Sequence, residues 1–357
     1  MVVVNSSFLA LKLRGVNRYA VEISKNLKLL MSDIKFIAPK TIIQNSYTEE
    51  INPEIYENKI KIPAKQVAPW EQFELTTYLK NNKNPLLVNL TNTAPAFYKN
   101  QIVTIHDLMF MHNPEWYSKK HYYFYRFLFK KVARNSLKVI TVSENSRKDI
   151  IKYFKIPENK IEIVHNAVSQ EFINLASGDF ENKYGDYILA VSSLDPRKNF
   201  EGLIMAFNKL KLKGIKLVLV GEKGTLYDRK IFNSLVKENP NIIFTGYVTD
   251  KDLAGLYKNA RLFVFPSLYE GFGIPPLEAM ACNCPTVVSN ATSIPEVCGE
   301  ASYYVDPASI DNIAKGIYEV LNDEQLQNEL RQKGAERIKG FNWQDSAKKI
   351  AQIIKNI

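Results

Sequence analysis

"FPSLYEGFGIPPLEAM" (residues 265–280) sets a strand end, a glycine turn and a helix start in one line, with a carboxylate on each side of the turn. The run leading into it, RLFVF (261–265), is short and apolar and reads as a buried strand. Gly271 and Gly273 let the backbone turn sharply and approach a ligand closely. Pro275 suits the first helical position, so the spacing predicts a helix starting there. The N–H groups around Gly273 and Ile274 would then face an anion. Glu270 falls at the strand end and Glu278 in the first turn of the helix. Two lone glutamates are ordinarily surface charge. Their placement at a strand–glycine turn–helix junction favours a site instead.

The same strand-to-helix alternation extends outward in both directions. VVV (2–4), KFIA (35–38), PLLVN (85–89), QIVTI (101–105), KVITV (138–142) and KIEIV (160–164) read as buried strands. After a polar stretch the series restarts with YILAV (187–191), KLVLV (216–220), NIIFT (241–245), RLFVF and PTVVS (285–289). Val16, Tyr19, Ile23, Leu27 and Leu30 line one face of an intervening helix. Strands alternating with helices imply parallel sheets with right-handed crossovers, and two series imply two doubly wound domains. A length of 357 residues also exceeds one ordinary core. The expected division is a first domain over 1–175, a second over 186–340, and a terminal helix over 341–357 that packs back on the first. In such folds ligands sit at the carboxyl ends of strands, so a cleft between the domains is the expected binding place.

A second motif follows the strand YILAV. In SSLDPRKN, Arg197 and Lys198 are adjacent cations entering a helix, and Asn199 suits its N-cap. Fixed charge, open N–H groups and the helix dipole together favour phosphate. With the glycine turn, this makes a diphosphate site: the glycines admit the diphosphate, and a carboxylate such as Glu278 accepts from both hydroxyls of a ribose. Glu270 reaches a sugar beyond the phosphates. Asp250 and Asp252 form Asp-x-Asp, a pattern that can hold a metal. Here it opens the helix DLAGLYKNA, and capping accounts for it. No catalytic metal and no cofactor are expected.

SSLDPRKN followed by FPSLYEGFGIPPLEAMACNCPTVVSNATSIPEVCGEASYYVDP resembles the donor half of a family 4 glycosyltransferase. GYVTDKDLAGLYKNA is similar to that family's spacing as well. The resemblance implies an α/β GT-B fold, two Rossmann-like doubly wound parallel-sheet domains facing across a cleft. It implies that Arg197 and Lys198 bind the donor diphosphate and Glu278 the ribose. It places Glu270, Gly271, Phe272, Gly273 and Ile274 on the transferred sugar, and Tyr247 and Val248 near the base. RGVNRYA (14–20) resembles the family's first glycine loop, with Gly15, Arg14 and Arg18 on the acceptor side and Asn17 in place of its second glycine. VTIHDL (103–108) ends a strand with His106 and Asp107. The matching family histidine touches the transferred sugar or the acceptor. Asp107 either orients His106 or caps the next turn. His112, His121 and His165 have weaker cases.

The net charge is +10, and it is unevenly placed. Residues 1–180 hold 25 Lys and Arg against 16 Asp and Glu, whereas residues 181–357 hold 22 against 21. The first half therefore suits an anionic partner. Residues 119–138 contain seven Lys and Arg and no acid, interleaved with aromatics. The segment reads either as a helix burying a broad apolar face or as a surface that docks on anionic lipid. No nucleic-acid module is recognisable, so nucleic acid is not an expected partner. The three cysteines, Cys282, Cys284 and Cys298, suit reduced, buried residues rather than a disulfide framework. No apolar run is long enough for a membrane span, and the first residues lack a secretory pattern. The expectation is a cytoplasmic protein, peripheral at the inner face of the plasma membrane.

Taken with the resemblance, these residues imply a retaining glycosyltransferase that moves a hexose from a nucleotide-diphosphate sugar to a glycan or lipid-linked glycan in surface-polysaccharide or lipopolysaccharide assembly. GDP-mannose is the favoured donor, with UDP- or dTDP-sugars, for glucosyl or rhamnosyl transfer, as the alternative. A nucleotide-sugar epimerase and a non-catalytic sugar-binding protein are the readings from other classes.

Overall fold

The apolar runs become the strands of two parallel sheets. The computed structural model of the chain describes residues 1–11, 15–56, 67–221, 234 and 236–357. The chain divides into two units, one of Met1–Asn166 with Trp343–Ile357 and the other of Ala167–Asn342.

The sheet of the first unit holds β1 (Val2–Asn5), β2 (Ile34–Ala38), β3 (Glu54–Ile55), β4 (Leu86–Asn89), β5 (Gln101–Thr104), β6 (Lys138–Thr141) and β7 (Ile161–Ile163). Their order is β3-β2-β1-β4-β5-β6-β7, with every neighbour parallel. Val3 and Val4 of β1 are both buried, so this central strand is covered on both faces. That explains its unbroken apolar run in place of alternation. Helices α1 (Gly15–Leu30) and α2 (Lys119–Asn135) belong to this unit. Tyr19, Ile23 and Leu27 of α1 are buried as expected, while Leu30 at its end is exposed. Strand order reverses between β1 and β4, and a polar cluster is buried there. Asn5 Nδ2 donates to Glu71 Oε1 (2.8 Å) and to Asn89 Oδ1 (3.0 Å), and Asn89 Nδ2 donates to Gln101 Oε1 (3.0 Å).

The sheet of the second unit holds β8 (Tyr187–Val191), β9 (Lys216–Val220), β10 (Ile242–Gly246), β11 (Leu262–Phe265), β12 (Thr286–Ser289) and β13 (Tyr303–Val305). Their order is β10-β9-β8-β11-β12-β13, again all parallel. Reversal here falls between β8 and β11. Helices α3 (Gln170–Ala176), α4 (Phe200–Leu210), α5 (Asp250–Asn259), α6 (Ile274–Ala281) and α7 (Ile294–Cys298) belong to this unit. Phe200, Leu203 and Phe207 of α4 pack with Ile188, Leu217 and Val264 of the sheet in one core. The chain passes to this unit after Asn166, ahead of the polar run where the sequence reading puts the division. The reason is α3, whose buried Phe172 meets Tyr257 of α5 edge-on at 6.2 Å. All three cysteines are buried, and burial pushes the Cys282 and Cys298 thiols up to about 12.

The terminal helix α8 (Trp343–Lys355) belongs to the first unit and packs against α1. Trp343, Ala347, Ile350, Ala351 and Ile354 form its buried stripe at three- and four-residue spacing. Each large side chain of such a stripe contributes roughly 1.5–3 kcal/mol by burial. Among the described residues no helix is long and apolar enough to cross a membrane.

Candidate functional site

The site residues expected in the second half lie just beyond the carboxyl ends of β8, β10 and β11, or in α6. Arg197 and Lys198 follow β8, Tyr247 and Val248 follow β10, and Glu270 to Gly273 follow β11. Because β8 and β11 are neighbours where strand order reverses, their loops meet. Lys198 Nζ lies 2.5 Å from Glu270 Oε1, and the Leu268 N–H donates to the Arg197 carbonyl (2.7 Å). Both side chains of the ion pair are almost fully buried, and the Phe265 ring lies 5.4 Å from the ammonium. Burial alone would raise the Glu270 carboxyl, but Lys198 and Arg197 outweigh it and hold it below the ordinary range. Burial draws Lys198 below the usual lysine value, with Arg197 adding to the effect and Glu270 opposing it. An ammonium has three donors, and Glu270 occupies one of them. The same cation can therefore serve an anionic ligand without abandoning its carboxylate.

Asp195 builds the loop that carries these cations. Its Oδ1 accepts from the Arg197 N–H (3.1 Å), capping the short turn Pro196–Lys198, and its Oδ2 lies 3.5 Å from Arg197 Nε. Asn199 occupies the N-cap position of α4, as expected, but its side chain makes no cap there. Instead its Nδ2 donates to the carbonyls of Pro266 (3.2 Å) and Pro307 (2.7 Å), tying three loops together. Asn199 adopts φ 58°, a conformation asparagine tolerates better than most residues. A Cβ on Gly202 would sit 2.5 Å from Asn199 Oδ1, so the glycine makes room for this bracket.

Gly273 caps α6 at φ +117°, a left-handed value that favours glycine. The helix therefore begins at Ile274, and Pro275 is its second residue. Glu278 consequently lies in the second turn rather than the first. Its buried carboxylate accepts from the Tyr257 hydroxyl at 3.2 Å. Burial, reinforced by Glu278, holds the Tyr257 phenol far above its ordinary range, so it remains a donor. The turn itself is stapled by residues from the loop after β12. Ser293 Oγ lies 3.0 Å from the Glu270 carbonyl and 2.8 Å from the Phe272 carbonyl, and the Glu270 N–H donates to Thr292 Oγ1 (3.0 Å). Sequence reasoning missed Tyr257, Thr292 and Ser293. Their signal lay in YKN and NATSIPE, polar residues set beside apolar strands and helices.

Tyr247 is 73% exposed at the end of β10, and Val248 is half-buried beside it. Thr249 is the N-cap of α5, and Asp252 is its partner. Thr249 Oγ1 accepts from the Asp252 N–H (3.2 Å) and donates to Asp252 Oδ2 (2.7 Å). Gly221, just past β9, was not singled out from the sequence. A Cβ there would lie 1.6 Å from the Ser192 carbonyl oxygen, so the ends of β8 and β9 close only around a glycine. Gly221→Ala is expected to lower unfolding free energy by about 1–3 kcal/mol through the displaced loop. A urea-unfolding midpoint equal to that of the wild type would contradict this.

In the first unit, His106 follows β5 and is held from several sides. Its N–H donates to Asn92 Oδ1 (2.8 Å), its carbonyl accepts from Ser146 Oγ (2.9 Å), and Tyr19 meets the ring edge-on at 4.8 Å. Nε2 lies 3.1 Å from the Leu90 carbonyl, which only accepts, so that nitrogen carries the proton. Burial lowers the ring's pKa, which keeps it neutral at pH 7 with Nδ1 as an acceptor. Asp107 accepts from the Met109 N–H (3.1 Å) and so caps the following turn. Gly15 opens α1 with open space where a Cβ would stand, and Arg18 is half-buried in the next turn. Arg14 lies outside the described residues. Each weaker histidine has a local partner: His112 has Asp149 (2.7 Å), His121 has Tyr117 and Tyr125, and His165 has the Val142 carbonyl (3.0 Å).

Two cations, a glycine turn and two buried carboxylates are thus carried by one Rossmann-like sheet. Comparison with known proteins gives the family and the fold. The family model described as glycosyl transferases group 1 matches residues 177–337, and the model described as glycosyltransferase family 4 matches residues 13–172. The O-antigen chain mannosyltransferase B of Escherichia coli is 32% identical over 270 residues, 71% of this chain and 70% of that protein. The O-antigen chain mannosyltransferase RfbU of Salmonella typhimurium is 28% identical over 318 residues, 85% of this chain and 86% of that protein. Sucrose-phosphate synthase from Thermosynechococcus elongatus superposes with a TM-score of 0.78 at 18% identity, over 99% of this chain and 98% of that one. That last likeness carries the fold, which is of the GT-B type.

Proposed function

The chain belongs to glycosyltransferase family 4, and from that membership we propose that it moves mannose from GDP-mannose to a glycan or lipid-linked glycan acceptor in cell-surface polysaccharide assembly, retaining the anomeric configuration. The mannosyl and polysaccharide parts rest on what its two named relatives are called. One observation carries the donor assignment: the Lys198–Glu270 pair beside the Gly271–Gly273 turn, where strand order reverses.

In this reading Arg197, Lys198 and the first N–H groups of α6 hold the diphosphate. Glu278, backed by Tyr257, takes the ribose hydroxyls, and Tyr247 and Val248 lie against the base. Glu270 and the Gly271–Ile274 turn hold the transferred sugar. His106 Nδ1 accepts from a hydroxyl of that sugar or of the acceptor, and Gly15, Arg14 and Arg18 serve the acceptor side. An acceptor oxygen bonds to the anomeric carbon on the face the diphosphate leaves. The breaking bond's electron pair goes to the phosphate oxygen, which takes the acceptor's hydroxyl proton. Charge grows on the diphosphate during this step, so fixed cations and N–H dipoles favour the transition state over the ground state. Side-chain and backbone charge fills this role, and the reading calls for no metal.

A thermal-shift panel of GDP, UDP and dTDP, with a chelator present, tests the donor. A nucleotide at about 100 times its Kd stabilises the folded state by about 2.7 kcal/mol, which raises Tm by several degrees. GDP is expected to give this rise. A rise with UDP or dTDP alone would move the reading to a glucosyl or rhamnosyl donor, and no rise with any of them would remove the diphosphate site. Incubating the donor with and without acceptor separates the other classes. An epimerase consumes donor without acceptor, and a sugar-binding protein consumes nothing.

A further inference from the structure

The outer face of α2 is made of cations and aromatic rings and nothing else. Each residue of a helix turns about 100° from the last, which puts Arg126, Lys119, Lys130, Tyr123, Arg134, Phe127, Lys120, Lys131 and Phe124 in one arc of about 160°. Leu128, Phe129, Val132 and Ala133 fill the opposite side and are buried in the core of the unit. The helix therefore has its core contact already, and the aromatics of the outer arc are not needed for it. Tyr123 is 64% exposed, Phe124 49% and Phe127 62%. Beside them Phe97 is 75% exposed, with Lys131 Nζ 5.1 Å from the centre of its ring. The cation and the ring thus extend the patch past the helix.

We propose that this face seats the protein on an anionic lipid bilayer, with Tyr123, Phe124, Phe127 and Phe97 entering the headgroup layer and the surrounding lysines and arginines meeting lipid phosphates. Large exposed rings are unfavourable in water, and a ring of like charges repels itself; a negatively charged interface relieves both at once. Ordinary surface helices mix both signs of charge. This one carries six Lys and Arg and no Asp or Glu within Lys119–Asn135. Charge complementarity thus selects a polyanion, and the rings among the charges select a bilayer over a purely ionic partner. The proposal adds a partner to the glycosyltransferase reading, and only the choice of a lipid-linked acceptor joins the two.

Sedimentation of the full chain with vesicles tests it without any sugar, so its failure is separate from failure of the transfer reading. Vesicles of equal parts phosphatidylglycerol and phosphatidylcholine are expected to bind the protein, and phosphatidylcholine alone is not. Each cation near such a surface is worth about 1 kcal/mol, so Lys119→Gln, Lys120→Gln and Arg126→Gln combined should weaken binding about 100-fold. The corresponding Lys→Arg changes should leave it intact. Tyr123→Ser with Phe127→Ser keeps every charge and should still weaken binding at least about 10-fold. All these side chains are exposed, and circular dichroism melting checks that the variants fold. Equal binding to neutral vesicles, or full binding by the glutamine variant, would overturn the proposal. So would RNA binding that competes with vesicles while the serine variant still binds them fully, because the patch would then be a purely ionic polyanion surface.

Discussion

Arg197→Ala and Lys198→Ala are each expected to lower turnover about 100- to 1,000-fold, the usual consequence of deleting one preorganised donor to a developing negative charge. The two losses should differ in character. Arg197 is partly open to solvent and leans on Asp195, so its removal leaves no buried charge behind. Its effect should appear in kcat more than in donor KM, because the charge it meets grows in the transition state. Lys198 is the buried partner of Glu270, and removing it strands a carboxylate in the interior. Breaking such a pair typically costs about 3–5 kcal/mol of stability. Lys198→Ala should therefore also melt earlier. Adding Glu270→Gln should recover part of that stability without recovering turnover. Initial-rate kinetics on variants shown to be folded decide the matter. Turnover within a few-fold of wild type in either single variant would remove these cations from the reaction.

What the sequence displayed of this site was its backbone logic. YILAV and RLFVF end in cation-bearing and glycine-bearing loops, and parallel topology alone brings the ends of such strands to one edge. That is why the sequence alone brings Arg197, Lys198 and Glu270 together. The residues that hold them were less legible, because they act across long stretches of chain. Asn199 looks like an ordinary N-cap until its amide is seen bridging to Pro266 and Pro307, the latter 108 residues away. Ser293 and Thr292 staple the Glu270 turn from more than 20 residues downstream. The depth of Glu278 was misjudged by the same kind of local rule. Pro275 suits a first helical position, but Gly273 in a left-handed conformation starts the helix one residue earlier. Strands β3 and β13 went unread because two or three residues with tyrosine or glutamate carry too little periodicity. The sequence reading keeps 167–175 in the first domain, whereas the buried Phe172 of α3, set against Tyr257, joins them to the second unit.

Glu71 is the residue whose behaviour the sequence concealed most fully, and its charge is expected to make stability fall as pH rises toward neutrality. WEQFEL (70–75) carries no motif that sets Glu71 apart from Glu74. In the structure Glu71 opens a π-helical turn, Glu71–Leu75, and is fully buried where strand order reverses in the first sheet. Its Oε1 accepts from Asn5 Nδ2 (2.8 Å) and Ser7 Oγ (3.1 Å). Burial raises its pKa from 4.5 to about 7, against the hydrogen bonds from Asn5, Thr93 and Ser7 that favour the ionised form. Between these two values the folded chain holds a proton that the unfolded chain has released. Unfolding free energy therefore decreases as pH rises through this window and levels off above about pH 7. The shift corresponds to about 3 kcal/mol at most. Glu71→Gln keeps the shape and the acceptor oxygen but cannot ionise. It should match the wild type near about pH 4, below both values, and exceed it by up to about 3 kcal/mol near about pH 8, since only the wild type then carries a buried charge. Other titrating groups, His106 among them, are common to both proteins and cancel in the difference. Urea unfolding at the two pH values measures that difference directly, and a gap that does not change with pH would mean that Glu71 titrates as an ordinary carboxylate.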